Sequence, residues 1–228
     1  MLNLIFPKIC YVCEKEDEYL CTDCFKKVIK IDPINRCHYC NKESRIGFVH
    51  KECSVYSYLE GILNLTLYDG LIKKLIYDIK YNYHFAVVET LGKVMADYFK
   101  FYNFNSSNSI LTFVPTSAKK FRIRGFNQSE LLTKQVAKFS QIEFITIIEK
   151  TKNTGAQAKL GKSGRAENLR DAFHLNQKFK ISNPGVQNII IIDDVFTTGA
   201  TLNECAKIIK QAFPQIKVFG YVIAKARS

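Results

Sequence analysis

Ile189-Ile190-Ile191-Ile192-Asp193-Asp194-Val195-Phe196-Thr197-Thr198-Gly199-Ala200-Thr201-Leu202 is the stretch from which the fold can be read. Four consecutive isoleucines are too short and too β-branched a run for a helix and suit a strand buried on both faces of a sheet. Asp193 and Asp194 stand at its carboxyl end, followed by small hydroxyl residues, Gly199 and a helical run from Leu202 to Ala212. In an open α/β sheet, ligands bind outside the carboxyl ends of the strands. A turn of this kind, opening into a helix, presents backbone N–H groups and hydroxyls to a phosphate. The two carboxylates cannot serve that phosphate, because like charges repel. They suit the cis-hydroxyls of an attached sugar, with Mg2+ nearby, so the ligand described is a ribose 5-phosphate. A buried strand ending in an Asx turn and a Thr-rich N-cap is the plainer reading, but it accounts for one Asp and one Thr only.

The run of hydrophobic strand, Asp-Asp, two variable residues and Thr-Thr-Gly-x-Thr resembles the phosphoribosyl-pyrophosphate (PRPP) signature of type I phosphoribosyltransferases. The resemblance assigns Asp193 and Asp194 to the ribose hydroxyls, and Val195, Phe196, Thr197, Thr198, Gly199, Ala200 and Thr201 to the 5′-phosphate. It also implies that the turn after an earlier strand, Ile110 to Val114, holds pyrophosphate. Lys119, Lys120, Arg122 and Arg124 follow that strand. Such a cluster of cations suits a group with several negative charges, although a solvated basic loop would look the same. A helix from Ser129 to Phe139 comes next, with Asn127 and Glu130 placed for a capping-box-like start.

Of eight cysteines, seven precede residue 54. They read Cys10-x2-Cys13, Cys21-x2-Cys24, Cys37-x2-Cys40 and then His50-x2-Cys53. Ligands two residues apart grip one ion from a tight turn, and four such pairs make two tetrahedral zinc sites. His50 keeps the spacing, whereas His38 sits inside a knuckle with its ring pointed away. Sequential and interleaved pairing are both open. With every position filled, the zinc is structural. The formal charge of +12 falls to about +9 once seven thiolates and two Zn2+ ions are counted. Residues 119–180 hold fourteen Lys/Arg against five Asp/Glu, whereas residues 1–55 hold nine against eight. A basic flank favours polyanions such as PRPP, nucleic acid or anionic lipid, and a merely solvated basic face is the bland counterpart.

The remaining patterns fill in an α/β domain. Leu63 to Leu67 reads as a strand with Asp69 as the following N-cap. Leu71, Ile72, Leu75, Ile76 and Ile79 have helical spacing, as do Val87, Val88, Leu91, Val94 and Met95 within a helix from Ala86 to Tyr102. Short helices such as Phe25 to Ile31 lie between the knuckles. Strands are expected at Phe144 to Glu149 and Lys217 to Ala224, with Cys205 in the core. Two aromatic groups, Tyr77, Tyr81, Tyr83 and Phe85, then Tyr98, Phe99, Phe101, Tyr102 and Phe104, are interleaved with Lys80 and Lys100. Such residues can stack unpaired bases, though aromatics more commonly fill cores. Lys150 to Arg170, basic and glycine-bearing, suits a lid over a bound anion. Within it Ala156 to Ser163 imitates a P-loop. That reading fails because no strand leads directly into it, Ala156 replaces glycine, and Gly164 weakens the following helix. No apolar run approaches the ~20 residues of a bilayer span, and Met1 to Ile9 is too short and lightly charged for a signal peptide. A soluble, intracellular protein is the expectation.

Across its length the chain resembles the ComF/ComFC competence proteins. The resemblance rests on the zinc ligands, the PRPP motif, Tyr68-x3-Ile72-Lys73 leading to Lys80-Tyr81, and Val114-Pro115 leading to Arg124-Gly125-Phe126-Asn127-Gln128. Gln157-x2-Leu160, Arg165-x2-Asn168 and Phe173 add to it, and His50 departs from a more usual cysteine. The resemblance implies a zinc module over residues 1–55 and a type I phosphoribosyltransferase-like parallel-sheet domain over 56–228. It further implies a role in natural transformation, with single-stranded DNA handled or imported at the cytoplasmic side of the inner membrane. A DNA-translocating ATPase, the inner-membrane DNA channel and a peripheral membrane contact would be the partners. Three readings remain open: a module binding DNA, nucleotide or PRPP, an active transferase whose acceptor base no residue identifies, and a zinc scaffold with a vestigial phosphate site.

Overall fold

The structure, a computed structural model, describes residues 9–16, 19–28, 36–150 and 172–226. The expected lid and the P-loop-like run inside it fall almost wholly in 151–171, outside the described residues, as do Gln157-x2-Leu160 and Arg165-x2-Asn168. The four isoleucines do form the centre of the molecule. They belong to β5 (Asn188–Phe196), and all four are fully buried. Together with β1 (Gly61–Leu67), β2 (Ser109–Phe113) and β6 (Lys217–Lys225), β5 makes a parallel sheet in the order β1-β6-β5-β2. A parallel sheet needs helical crossovers that cover both faces, which is why every residue of β2 is buried and β5 carries four isoleucines in succession.

One face packs on α2 (Gly70–Tyr81), α3 (Ala86–Tyr98) and α5 (Gln128–Ser140) through Ile76, Leu91, Met95, Leu132 and Val136. The other packs on α6 (Ala200–Ala212) through Leu202, Cys205 and Ile209, and on a two-stranded antiparallel hairpin, β3 (Ile148–Lys150) with β4 (Phe173–Leu175). Helices α3 and α5 cross at Gly92, where a Cβ would come within 2.3 Å of the Gln135 Cβ.

Several expectations shift. Strand β5 continues past the aspartates, with Asp193 opposite Val222 and Val195 opposite Ala224, so the turn shrinks to Thr197–Gly199. β6 extends beside it and keeps that stretch hydrogen-bonded. The expected Phe144 to Glu149 strand divides: Phe144 bridges Leu111 alongside β2, and Ile148 begins β3. The basic run after β2 is a helix, α4 (Ala118–Arg124), capped by the Ser117 hydroxyl and ended by Gly125 at φ 78°. Near the N-terminus the helix α1 spans Thr22–Val28, earlier than its apolar residues indicate. Leu71 is exposed, not core. The second aromatic group divides too, with Phe99 and Phe104 buried and Phe101 exposed.

Substituting Ala for Gly92 should separate α3 from α5 and lower stability by ~1–3 kcal/mol, read as an earlier urea midpoint at unchanged slope. An unchanged midpoint would show that the crossing yields without cost.

Candidate functional site

Two cysteine knuckles share one local geometry. In each the residue after the second cysteine, Glu14 or Asn41, turns left-handed, with φ of 63° and 58°. Glu14 N–H donates to the Cys10 carbonyl at 2.8 Å and Asn41 N–H to that of Cys37 at 2.9 Å. The partner pairs come from helical turns. Cys21 and Cys24 sit at the start of α1, and His50 and Cys53 flank the start of a 3-10 helix, Lys51–Tyr56. Pairing is sequential: Cys10, Cys13, Cys21 and Cys24 form one cluster, and Cys37, Cys40, His50 and Cys53 the other, with ligand atoms of each within 4.8 Å of one another.

The donor sets fit zinc. Zn–S bonds of ~2.3 Å put tetrahedral sulfurs about 3.8 Å apart, and the Cys13 and Cys21 sulfurs are 3.6 Å apart. His50 Nε2 lies 2.9 Å from the Glu43 carbonyl and Nδ1 3.2 Å from the Cys40 sulfur. In a neutral ring Nε2–H donates to that carbonyl, which leaves the Nδ1 lone pair for a metal. Burial acts to raise the Cys10 thiol, but N–H groups of Cys21, Val12 and Cys13 outweigh it and hold the pKa at about 6. Burial and neighbouring thiols push Cys24 up to about 12. The Cys10 thiolate is therefore favoured in place, and a cation is needed to ionise Cys24. His38 stands apart, its Nε2 3.1 Å from the Ser57 hydroxyl and its ring edge-on to Phe196. Burial, then the Lys225 charge, lowers its pKa to about 4, so the ring is neutral.

The second cluster leans on the carboxyl end of β5. Besides the His38–Phe196 contact, Tyr58 N–H donates to Asn203 Oδ1 on the first turn of α6 at 2.8 Å. Phe196 in turn lies under Gly199, where a Cβ would meet its ring at 2.6 Å and where φ is 77°. Only glycine satisfies both constraints at this helix start. Thr197 and Thr198 are exposed beyond it.

A cleft of about 170 Å³ opens beside that turn, lined by Asp193, Asp194, Lys80, Lys120, Arg124, Lys150, Ser129 and Thr201 among others. Asp193 Oδ1 accepts from the Ser129 hydroxyl at 2.7 Å and from Asp194 N–H at 2.9 Å. Asp194 pairs with Lys80 from the end of α2. Burial and the Asp194 charge push the Asp193 carboxyl up from 3.8 to about 7, against the weaker pull of Ser129 and Lys80. Burial and the Lys120 charge lower the Lys150 pKa, so an anion between these cations would relieve both.

Arg124, 8% exposed, donates to Gln128 at 3.0 Å and to the Tyr81 hydroxyl at 2.9 Å. Asn127 caps α5 by accepting from Ser129 N–H and donates to the Val114 carbonyl, tying the end of β2 to the start of α5. The Arg-Gly-Phe-Asn-Gln run, with Ser129 directly after it, is thus a unit that aims one guanidinium and one hydroxyl into the cleft.

The sequence has relatives among known proteins. Competence protein F of Haemophilus influenzae is 35% identical over 99 residues, 42% of this chain and 42% of that protein. Competence protein ComFC of Streptococcus pneumoniae is 24% identical over 212 residues, 91% of this chain and 89% of its own. Competence protein ComFC of Bacillus subtilis is 24% identical over 223 residues, 93% and 86% of the two chains. Over about nine-tenths of its length the chain is similar to competence proteins of the ComF/ComFC family. No family model matches it.

The cleft gathers only part of the anion residues expected from the sequence. Lys120 and Arg124, four apart on α4, line the cleft; Lys119 and Arg122 are not among the lining residues, because helical spacing turns them away. Of the Val195–Thr201 run, Thr201 lines the cleft, Phe196 is buried beneath the turn, Val195 packs against the core and Ala200 opens α6. Sequence reasoning passed over Lys80, Ser129 and Lys150 as site residues. The Lys80-Tyr81 pair in the family pattern was a usable signal for the first, and nothing local marked the other two. Among the described residues no helix is long and apolar enough to cross a membrane.

The intact protein should carry close to two zinc ions, with His50→Ala leaving about one and His38→Ala leaving two, by elemental analysis of purified protein. Equal loss in both variants would remove His50 from the ligand set.

Proposed function

We propose that this chain serves natural transformation by handling incoming single-stranded DNA, and that its cleft binds a 5-phosphorylated ribose such as PRPP. The carrying observation is the convergence of Asp193 and Asp194 with four cations, Lys80, Lys120, Arg124 and Lys150, on one cleft beside the Thr197–Gly199 turn. In this reading the carboxylates take the ribose hydroxyls, the exposed threonines and first-turn N–H groups of α6 take the 5′-phosphate, and Lys120 with Arg124 takes pyrophosphate. Mg2+ accompanying PRPP supplies further neutralisation of its pyrophosphate. Residues 1–55 form a zinc-stabilised module and residues 56–228 the phosphoribosyl domain.

The names of the relatives support the process, since each is called a competence protein. By the same likeness the site of action is the cytoplasmic side of the inner membrane, with contact to a DNA-translocating ATPase and the DNA channel. Ribosyl transfer to a base is a second reading. It is favoured by the placement of Lys120 and Arg124 opposite the carboxylates, where departing pyrophosphate and an oxocarbenium-like carbon would both be stabilised.

Calorimetric titration of the zinc-loaded protein with Mg2+ and PRPP tests the site. Asp193→Asn with Asp194→Asn should weaken binding at least about tenfold while the zinc content stays the same. Unchanged affinity would end the ribose assignment. Release of pyrophosphate with any base would establish transfer.

The pH dependence has a fixed sign. Between pH 4 and 7 the free protein holds a proton on Asp193 that an unfolded chain would lose, so folding stability falls as pH rises through that window. A Mg2+-carrying ligand must displace that proton, so its affinity should decline, by up to about tenfold per unit, as pH drops below 7. Asp193→Asn should flatten that profile.

A further inference from the structure

The first aromatic group stays out of the core. Tyr77 and Tyr81, one turn apart on α2, are 57% and 47% exposed, with ring centroids 4.7 Å apart. Tyr83 and Phe85, 57% and 41% exposed, gather against Phe126 from the α4–α5 turn at 5.9 and 4.7 Å. Tyr83 adopts φ 57°, a left-handed conformation rare for a bulky residue. Such an outlier in an exposed cluster points to use of the ring and not to packing.

Charge surrounds the rings. On α2, Lys73 and Lys74 lie four and three residues before Tyr77 and eight and seven before Tyr81, and helical spacing sets them on the same outward stripe, while Lys80 turns into the cleft to pair with Asp194. The helix's one acid, Asp78, is buried and accepts from Asn82. Arg124 lies over the Tyr81 ring at 4.9 Å and also lines the cleft. A line of cation-flanked rings therefore runs outward from the ribose-phosphate cleft.

We infer that the α2 face and the Tyr83–Phe85–Phe126 group form a stacking platform for single-stranded nucleic acid, whose strand continues from the cleft. Its bases lie on the rings and its phosphates near Lys73, Lys74 and Arg124. Duplex is a poor occupant, because paired bases hide their faces within the stack. The inference rests on the nucleic-acid part of the proposed function and gives it a surface.

The test uses intact, zinc-loaded protein and three probes: an oligothymidylate longer than one site of about 16 nucleotides, an abasic deoxyribose-phosphate chain of equal length, and phosphatidylglycerol-containing vesicles. The chain has twelve tyrosines and no tryptophan, so tyrosine emission reports stacking directly. Oligothymidylate should quench that emission and bind about tenfold tighter than the abasic chain. Tyr77→Ala, at an exposed site, should remove about tenfold of oligothymidylate affinity and leave abasic and PRPP binding as they were. Tyr77→Phe, which keeps the ring, should retain affinity. If Tyr77→Ala binds oligothymidylate like the wild type, or the abasic chain binds equally well, the platform is wrong and nucleic-acid handling stands. If no oligonucleotide binds even at low salt, both readings fall; vesicle binding lost in Tyr77→Ala would then give the surface to a membrane.

Discussion

Two carboxylates on adjacent residues of a buried strand repel each other and lose hydration, and the fold around them answers that cost. Asp194 is neutralised by Lys80 from α2, and Asp193 is held by the Ser129 hydroxyl at the start of α5 and by the Asp194 N–H. Burial still dominates, which is why the Asp193 carboxyl stands near 7. A purely structural strand end would gain by replacing such a pair with apolar residues. Retaining it requires α2, α4, α5 and β3 to converge on one cleft, and that convergence organises the domain.

The cysteine-rich N-terminal module belongs to the same arrangement. The first cluster shares the core beneath α2 and α3, since Cys10, Leu20, Cys21 and Cys24 are buried with Ile76 and Val87. The second cluster reaches the far end of β5, where His38 abuts Phe196 and Ser57 and Tyr58 meet Asn203. Residues too few to build a core of their own are held by their ligand clusters. In return they brace the turn on which Thr197 and Thr198 are displayed.

Exposure separates two uses of aromatic residues that look alike in sequence. Phe99, Phe104 and Tyr221 fill the space between α3 and the sheet, with Tyr221 donating to the Met95 carbonyl. Tyr77 and Tyr81, on the outward stripe of an amphipathic helix, have no such space to fill. The difference arises from which helix face meets the sheet, a property of packing and not of composition.

What local chemistry dictates was visible in the sequence alone. Four β-branched isoleucines demand a doubly covered strand, Cys-x2-Cys spacing demands knuckles, and Asp-Asp before a Thr-Gly turn demands a polar cleft at a sheet edge. Sequential grouping of the clusters, by contrast, depended on how far apart the knuckles came to rest, and it is His50, with Nε2 2.9 Å from the Glu43 carbonyl, and not His38 that falls within reach of Cys37, Cys40 and Cys53. Tertiary structure also decided which cations count. Four basic residues within a six-residue span looked equivalent until α4 formed and its 3.6-residue period turned Lys120 and Arg124 inward. Lys80, Ser129 and Lys150 come from three separate elements, 43 to 114 residues from Asp194 or its neighbour, and only the packing of helices on the sheet brings them within reach of the same carboxylates.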